Sequence, residues 1–112
     1  DLTVTGVQTC ALPIYPSLLP DYPGLNTHAR VLADAVNEHG ASVHFVTPEL
    51  DAGPIILQSR ISVQADDTPS TLAERVHQCE YQIYPRAIAW FAMGRLHLEA
   101  SIAYLDGAPI KA

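Results

Sequence analysis

The sequence predicts an α/β protein with the element order helix, strand, strand, helix, strand. Two patterns carry this prediction. Apolar residues alternate along Ile55–Val63, which is the period of a strand, and they recur at helical spacing over Leu72–Phe91. With 112 residues, of which 48% are hydrophobic and 16% charged, the chain can bury a core but has room for only one domain or part of one. Three strands and one large helix make a thin core, so we expect part of a larger domain.

The chain upstream of the first helix shows no regular pattern. Asp1–Ile14 matches neither a helix nor a strand, and Leu12–Gly24 contains four prolines. Because proline fixes its own φ and disfavours helix at the residue before it, this stretch is predicted to be an extended, turning loop.

A short helix and a first strand follow this loop. Asn26 or Thr27 is the expected N-cap of a helix that runs through Val36 and stops at Gly40. Alternation over Ser42–Val46 then predicts a strand. This first strand has no evident partner upstream.

The main helix is the most clearly delimited element. Thr68 is its predicted N-cap, Pro85 should kink it because proline removes one ladder hydrogen bond, and Gly94 should end it. Alternation over Leu96–Ala100 predicts a third strand, and the pair Asp106-Gly107 predicts a turn.

The charge balance excludes several classes of function. The net charge is -6 and only 6 residues are Lys or Arg, which argues against sequence-independent nucleic-acid binding. No apolar run approaches the roughly 18 residues of a membrane span, and no secretory leader pattern is present. Two cysteines cannot build a disulfide framework, so we expect a reducing, cytoplasmic compartment, with neither nucleic acid nor membrane as a partner.

The histidines do not have metal-ligand spacing. No two of them form a His-x-x-x-His pair on one helix, and there is no Cys-x-x-Cys, so no metal is expected. His44 shares its strand face with Val46 and is predicted to be a hydrogen-bonded structural imidazole. His77 and His97 are predicted to be exposed.

Two acidic residues are candidates for a site. Asp51 lies in the loop Thr47–Pro54 between two strands, where α/β proteins often place ligands, but Asp before Ala-Gly-Pro is also ordinary turn chemistry. Glu80 on the main helix is by default solvent-facing. From the residue chemistry alone, the sequence predicts an α/β fragment and does not indicate its activity.

Four spaced segments carry a family resemblance. Tyr15–His28 (YPSLLPDYPGLNTH) resembles the loop HPSLLPxYPGxxTH of the phosphoribosylglycinamide formyltransferase family. Three further segments are similar, in order, to the next block, the long helix and the final strand of this family: His39–Pro54, Glu80–Pro85 and Trp90–Leu96. The resemblance runs without an obvious gap from Tyr15 to Ile110.

The resemblance implies a fold and a reaction. The fold is the C-terminal half of a formyltransferase-type Rossmann-like domain, with a mixed sheet and one long kinked helix, whose N-terminal nucleotide-binding half is missing. The reaction moves a formyl group from the co-substrate 10-formyltetrahydrofolate to the amine of glycinamide ribonucleotide, a small-molecule substrate of purine biosynthesis. Other formyl-tetrahydrofolate enzymes, methionyl-tRNA formyltransferase and the deformylase, share the Ser-Leu-Leu-Pro-like loop. One of these activities, or a non-catalytic binding remnant, is the alternative.

The resemblance also implies site residues. Asp51 matches the aspartate that raises the pKa of a catalytic histidine, so that the imidazolium can donate a proton. Glu80 falls where the family contacts the glycinamide substrate. The loop that holds the folate pterin is implied to comprise Val46, Thr47, Glu49, Leu50 and Asp51.

Two positions depart from the family pattern. Pro13 stands where the family has a substrate-facing Asn, and Tyr15 stands where it has the catalytic His. Proline offers no donor for the oxyanion, and a phenol donates a neutral hydrogen bond without bringing a cation. As written, the chain is therefore expected to be inactive.

The departures coincide with an unusual leader. Val4–Ile14 resembles the translation of one reading frame of a common sequencing-library adapter. The last base of this adapter is T, and T followed by the last two bases of a His codon (CAC or CAT) is a Tyr codon. We therefore expect residues 1–14 to be a non-native leader, Tyr15 to be a junction codon in place of His, and residues 15–112 to be the C-terminal part of a single formyltransferase domain. A natural, divergent or inactive paralogue is the alternative.

Overall fold

The computed structural model describes residues 12–46 and 53–110, which form two helices and six strands. In chain order these are β1 Ile14–Tyr15, α1 Thr27–Ala33, β2 Glu38–His44, β3 Ile55–Ser62, α2 Pro69–Ala92, β4 Leu96–Glu99, β5 Ile102–Leu105 and β6 Ala108–Pro109. The first three strands form sheet 1 in the order β1-β2-β3, and the last three form sheet 2 in the order β4-β5-β6. The predicted α/β class with one long helix is confirmed. Every strand pair within the described residues is antiparallel.

The upstream strand that the sequence did not reveal is β1. Ile14 pairs with Val43 and Tyr15 with Ser42, so β2 does have an upstream partner, and the prediction of a continuous loop over Leu12–Gly24 is wrong at these two residues. A two-residue strand has no periodicity to detect, and prolines flank it on both sides.

The first helix is shorter than predicted. It ends at Ala33 rather than Val36, because Ala35 adopts a left-handed φ of 53° that cannot continue the helix. Gly40 does not stop the helix; it lies inside β2, which begins at Glu38. Glycine is required there because β3 approaches so closely that a Cβ would lie 1.8 Å from the Ser59 carbonyl oxygen.

The long helix α2 follows its sequence signals closely. Thr68 is the N-cap, its side chain accepts from the backbone N–H of Thr71, and the Thr71 hydroxyl accepts in return from the N–H of Thr68. The helix continues through the exposed Pro85 and ends before Gly94, which has a φ of 72°. Within the described ranges, neither helix has the length and apolar character needed to cross a membrane.

The C-terminal segment is a meander rather than a single strand. The predicted third strand is present as β4, but Ala100 and Ser101 turn the chain back into β5, with φ of 53° and 63°. Alanine and serine are not strong turn signals, which is why this hairpin escaped prediction. The predicted Asp106-Gly107 turn is confirmed and leads into β6.

The core lies between α2 and one face of sheet 1. The buried face of the helix presents Leu72, Val76, Cys79, Ile83 and Ala87. The facing residues are Ala41 and Val43 of β2 and Phe45 just after it, all at most 4% exposed. Since side chains alternate along a strand, the other face of sheet 1 is left for the loop between β1 and α1, and that loop forms part of the candidate site.

Candidate active site

A buried polar cluster attaches the loop after β1 to sheet 1. The hydroxyl of Ser42, which is fully buried, donates to the Ser17 carbonyl oxygen at 2.7 Å and accepts from the Leu19 N–H at 3.1 Å. The Gln58 amide donates to the Ser42 hydroxyl and to the Leu19 carbonyl oxygen, both at 2.9 Å. Side chains of β2 and β3 therefore satisfy loop backbone groups that are shielded from water.

The two departures from the family pattern lie at β1, Tyr15 within the strand and Pro13 immediately before it. Pro13 and Tyr15 are alternate residues and share one face, whereas Ile14 between them packs against the core. The Pro13 carbonyl oxygen accepts from the His44 N–H at 3.2 Å, and the Tyr15 hydroxyl donates to the Gly24 carbonyl oxygen. The phenol proton is thus directed to the protein's own backbone.

The predicted folate-binding loop begins at the end of sheet 1 where Pro13 lies. The Phe45 N–H donates to the Pro54 carbonyl oxygen at 3.0 Å, and the Gly53 N–H donates to the Phe45 carbonyl oxygen at 2.8 Å. These bonds join the chain on either side of residues 47–52, next to Pro13, whose carbonyl oxygen accepts from His44. Val46, at the start of the loop, is 43% exposed. The other predicted loop residues lie outside the described residues: Thr47, Glu49, Leu50 and Asp51.

The predicted substrate contact lies on α2. Glu80 is half-buried, and Tyr84 follows it by one helical turn on the same face. The Tyr84 hydroxyl donates to the Leu12 carbonyl oxygen at 2.8 Å, so this helix face is directed towards the chain entering β1. Within the described residues, no hydrogen bond links Glu80 to Pro13 or Tyr15. The structure therefore brings Pro13, Tyr15 and Val46 to one end of sheet 1, and in its described part it forms no hydrogen bond between Glu80 and these residues.

Side chains of the short helix region hold the tip of the loop. Arg30 donates to the carbonyl oxygens of Pro23 at 2.7 Å and Leu25 at 3.0 Å, and its guanidinium lies over the Tyr22 ring. The Tyr22 hydroxyl donates to Asp34 at 2.7 Å, and this hydrogen bond is the main reason that the pKa of Tyr22 is raised. The Leu25 side chain is left 85% exposed beside these contacts.

The histidines divide into exposed and buried groups. His77 and His97 are exposed, as predicted. His44 is 4% exposed and its Nδ1 lies 2.8 Å from the Phe45 carbonyl oxygen, which confirms the structural imidazole. Among the residues placed by the structure, no three His, Cys, Asp or Glu side chains are grouped as metal ligands would be.

A histidine pair that the sequence did not predict joins α1 to β2. His28 Nδ1 lies 3.0 Å from His39 Nε2, and His39 is 1% exposed. Burial, and secondarily the neighbouring His28, lower the pKa of His39 to about 4, while burial, and secondarily His77, lower the pKa of His28. The pair is eleven residues apart on a helix and a strand, so no local spacing could have revealed it.

This pair predicts that acid destabilises the fold. The unfolded chain binds protons at His39 near the ordinary pKa of about 6.5, whereas the folded chain resists protonation down to about 4. The contribution of His39 to the free energy of unfolding is therefore complete above pH 6.5 and is lost as the pH falls towards 4. Below pH 4 it does not change further. We expect the free energy of unfolding, from urea titrations, to fall by about 3 kcal/mol across this window.

The matched controls are His39→Gln and His97→Gln. The first should remove most of the pH dependence between 6.5 and 4.5, and the second, at an exposed position, should retain it. An unchanged slope in His39→Gln would show that other groups are responsible.

Comparisons with known protein sequences give matches that are consistent with one another. The sequence profile described as formyl transferase matches residues 3–88. The phosphoribosylglycinamide formyltransferase of Escherichia coli (strain K12) is 53% identical over 96 residues, which is 86% of this chain and 45% of that protein. The chain thus spans about half the length of the curated relatives of this kind that it matches.

Solved structures show the same fold. A phosphoribosylglycinamide formyltransferase from Coxiella burnetii superposes with a TM-score of 0.84 at 54% identity, covering 89% of this chain and 47% of that one. A formyltetrahydrofolate deformylase from Pseudomonas syringae superposes with a TM-score of 0.81 at 25% identity, covering 93% of this chain and 35% of that one. The fold is therefore common to both kinds of protein, while the sequence is more similar to the first.

Proposed function

This chain belongs to the formyl transferase family, and from that premise we propose that residues 15–112 are the C-terminal part of a phosphoribosylglycinamide formyltransferase, preceded by a non-native leader. The complete enzyme would transfer the formyl group of 10-formyltetrahydrofolate to the amine of glycinamide ribonucleotide in purine biosynthesis. The observation that carries the proposal is the 53% identity to the Escherichia coli enzyme over 86% of this chain.

The proposed folate site lies at the hairpin end of sheet 1. Val46 is exposed there, and hydrogen bonds between Phe45, Gly53 and Pro54 hold the two ends of the loop that carries Asp51. In the proposed parent, the loop contacts the folate pterin, and Asp51 favours the charged form of the catalytic histidine through its opposite charge. Glu80, on the half-buried face of α2, contacts the glycinamide substrate.

Tyr15 of β1 and Pro13 just before this strand do not fit the reaction. Attack of the amine on the formyl carbon creates a tetrahedral oxyanion that must be stabilised by donors. Pro13 has no donor to offer, and the Tyr15 hydroxyl donates to the Gly24 carbonyl oxygen. We therefore propose that this chain is inactive as written and that its active parent carries Asn and His at these two positions.

A deformylase is the second candidate. It is supported by the similar fold of the Pseudomonas syringae protein, at 25% identity. The 54% identity to the Coxiella burnetii formyltransferase favours transfer over hydrolysis.

The test is a complete chimera. The segment of the Escherichia coli enzyme that precedes the matched region is joined to residues 13–112, either unchanged or with Pro13→Asn and Tyr15→His. We expect the restored chimera to transfer formyl to glycinamide ribonucleotide at least about 100-fold faster than the unchanged one, because it regains both oxyanion donors.

Two controls make this result specific. Asp51→Asn in the restored chimera should remove most of the regained rate, and circular dichroism should show equal folding of all variants. A folded, restored chimera without transfer would refute the proposal. Release of formate without glycinamide ribonucleotide would instead identify a deformylase.

A further inference from the structure

A second concave surface lies at the other edge of sheet 1 from β1. It is a groove of about 360 Å³ between the β3 edge, α2 and sheet 2. Its apolar lining includes Leu57, Trp90, Leu105 and Ile110. Among the described residues, none of those proposed for formyl transfer lines this groove.

The strand that borders the groove has an unpaired edge in the described part of the chain. β3 pairs there only with β2, so alternate backbone N–H and C=O groups of the strand point away from the sheet. Four consecutive residues, 55–58, line the groove, as expected where a strand presents its edge. The strand has eight residues, no proline and a single charge, Arg60, and its one register shift lies at Ile56, so the regular ladder from Leu57 to Ser62 is the part of the edge open to strand addition.

The charges at the groove favour an anionic partner. Arg60 lines it with a side chain that is 54% exposed, and its ion pair with Glu38, at 3.4 Å, is exposed on both sides. Arg86 lies over the ring of Trp90, which forms another wall. Two of the six cationic residues of a chain with net charge -6 therefore flank this one apolar groove.

We propose that the β3 edge binds an extended peptide segment that carries apolar side chains and a carboxylate. The segment adds as a strand to β3, places apolar side chains against Trp90 and Ile110, and directs its carboxylate to Arg60. The groove holds only a few side chains, so the complex is weak, in the range typical of small transient interfaces. This inference does not depend on the proposed formyl transfer.

The test uses the full 112-residue chain and an acetylated tetrapeptide, Val-Ile-Val-Asp, with a free C-terminal carboxylate. Trp90 is the single tryptophan, so its fluorescence and its indole NMR signal report on the groove. We expect saturable shifts of Trp90 and of the β3 amides, and at least about a tenfold weaker affinity for the same peptide with N-methylated backbone amides, because methylation blocks strand pairing.

Two exposed positions provide matched variants. Arg60→Glu should weaken binding at least about fivefold, and Glu38→Gln, which frees Arg60 from its partner, should leave it equal or stronger. Equal binding of the N-methylated peptide, or equal shifts with octanoate, would overturn the proposal in favour of a site for small amphiphiles. No change at Trp90 up to about 5 mM peptide would overturn it outright.

Discussion

Gly40→Ala is expected to destabilise the fold by about 3 kcal/mol or more. The added Cβ would lie 1.8 Å from the Ser59 carbonyl oxygen and 2.9 Å from its carbon, and both atoms belong to the backbone of β3. Backbone cannot move aside as a flexible side chain does, so β2 and β3 must separate locally. Urea unfolding monitored by Trp90 fluorescence measures the change.

Gly107→Ala is the control for this substitution. Gly107 has a φ of 86°, and no atom lies within 4 Å of the position that an added Cβ would take, so alanine there meets a conformational penalty alone, about 1 kcal/mol. If the two substitutions destabilise equally, the close approach of β3 to Gly40 is not the cause.

Ser42→Ala is expected to reduce the free energy of unfolding by about 2–4 kcal/mol. The substitution removes one hydroxyl but leaves three groups without that partner: the Ser17 carbonyl, the Leu19 N–H and the Gln58 amide. Because these groups are held away from water, their lost hydrogen bonds are not fully replaced. Amide exchange at Leu19 should accelerate in the folded state, since its N–H donates to Ser42.

A double-mutant cycle tests whether Ser42 and Gln58 stabilise the fold together or independently of each other. Ser42→Ala combined with Gln58→Leu should destabilise by less than the sum of the two single changes, because the two residues share one hydrogen bond. Ser70→Ala, at an exposed position in the first turn of α2, should stay within about 0.5 kcal/mol of the parent. Strict additivity would show that Ser42 and Gln58 do not act together.

The cluster connects stability to the proposed site. The loop after β1 carries Gly24, whose carbonyl oxygen accepts from Tyr15, and Ser42 with Gln58 holds the first part of that loop on the sheet. In the proposed parent, this attachment would position the loop beside the catalytic histidine. The restored chimera is therefore expected to lose activity when Ser42 is changed to Ala.

The site could be predicted only where its residues lie in recognisable segments. Pro13, Tyr15 and Val46 were predicted from the family resemblance, and the structure places them at one end of sheet 1. Asp51 was predicted in the same way, and its role stays a prediction because it lies outside the described residues. The polar cluster of Ser42 and Gln58 was missed, since neither residue type is distinctive in an alternating strand.

The sequence by itself determined the elements whose signals are local. Helix α2 was delimited by the cap at Thr68, the apolar repeat and Gly94, and β3 by its alternation, because each signal depends on residues a few positions apart. Only the tertiary structure decided the pairing of β1, the His28–His39 contact and the need for glycine at position 40. Each of these depends on residues brought together from 11 to 29 positions apart, as with His28 and His39 or Ile14 and Val43, and local periodicity does not encode such distances.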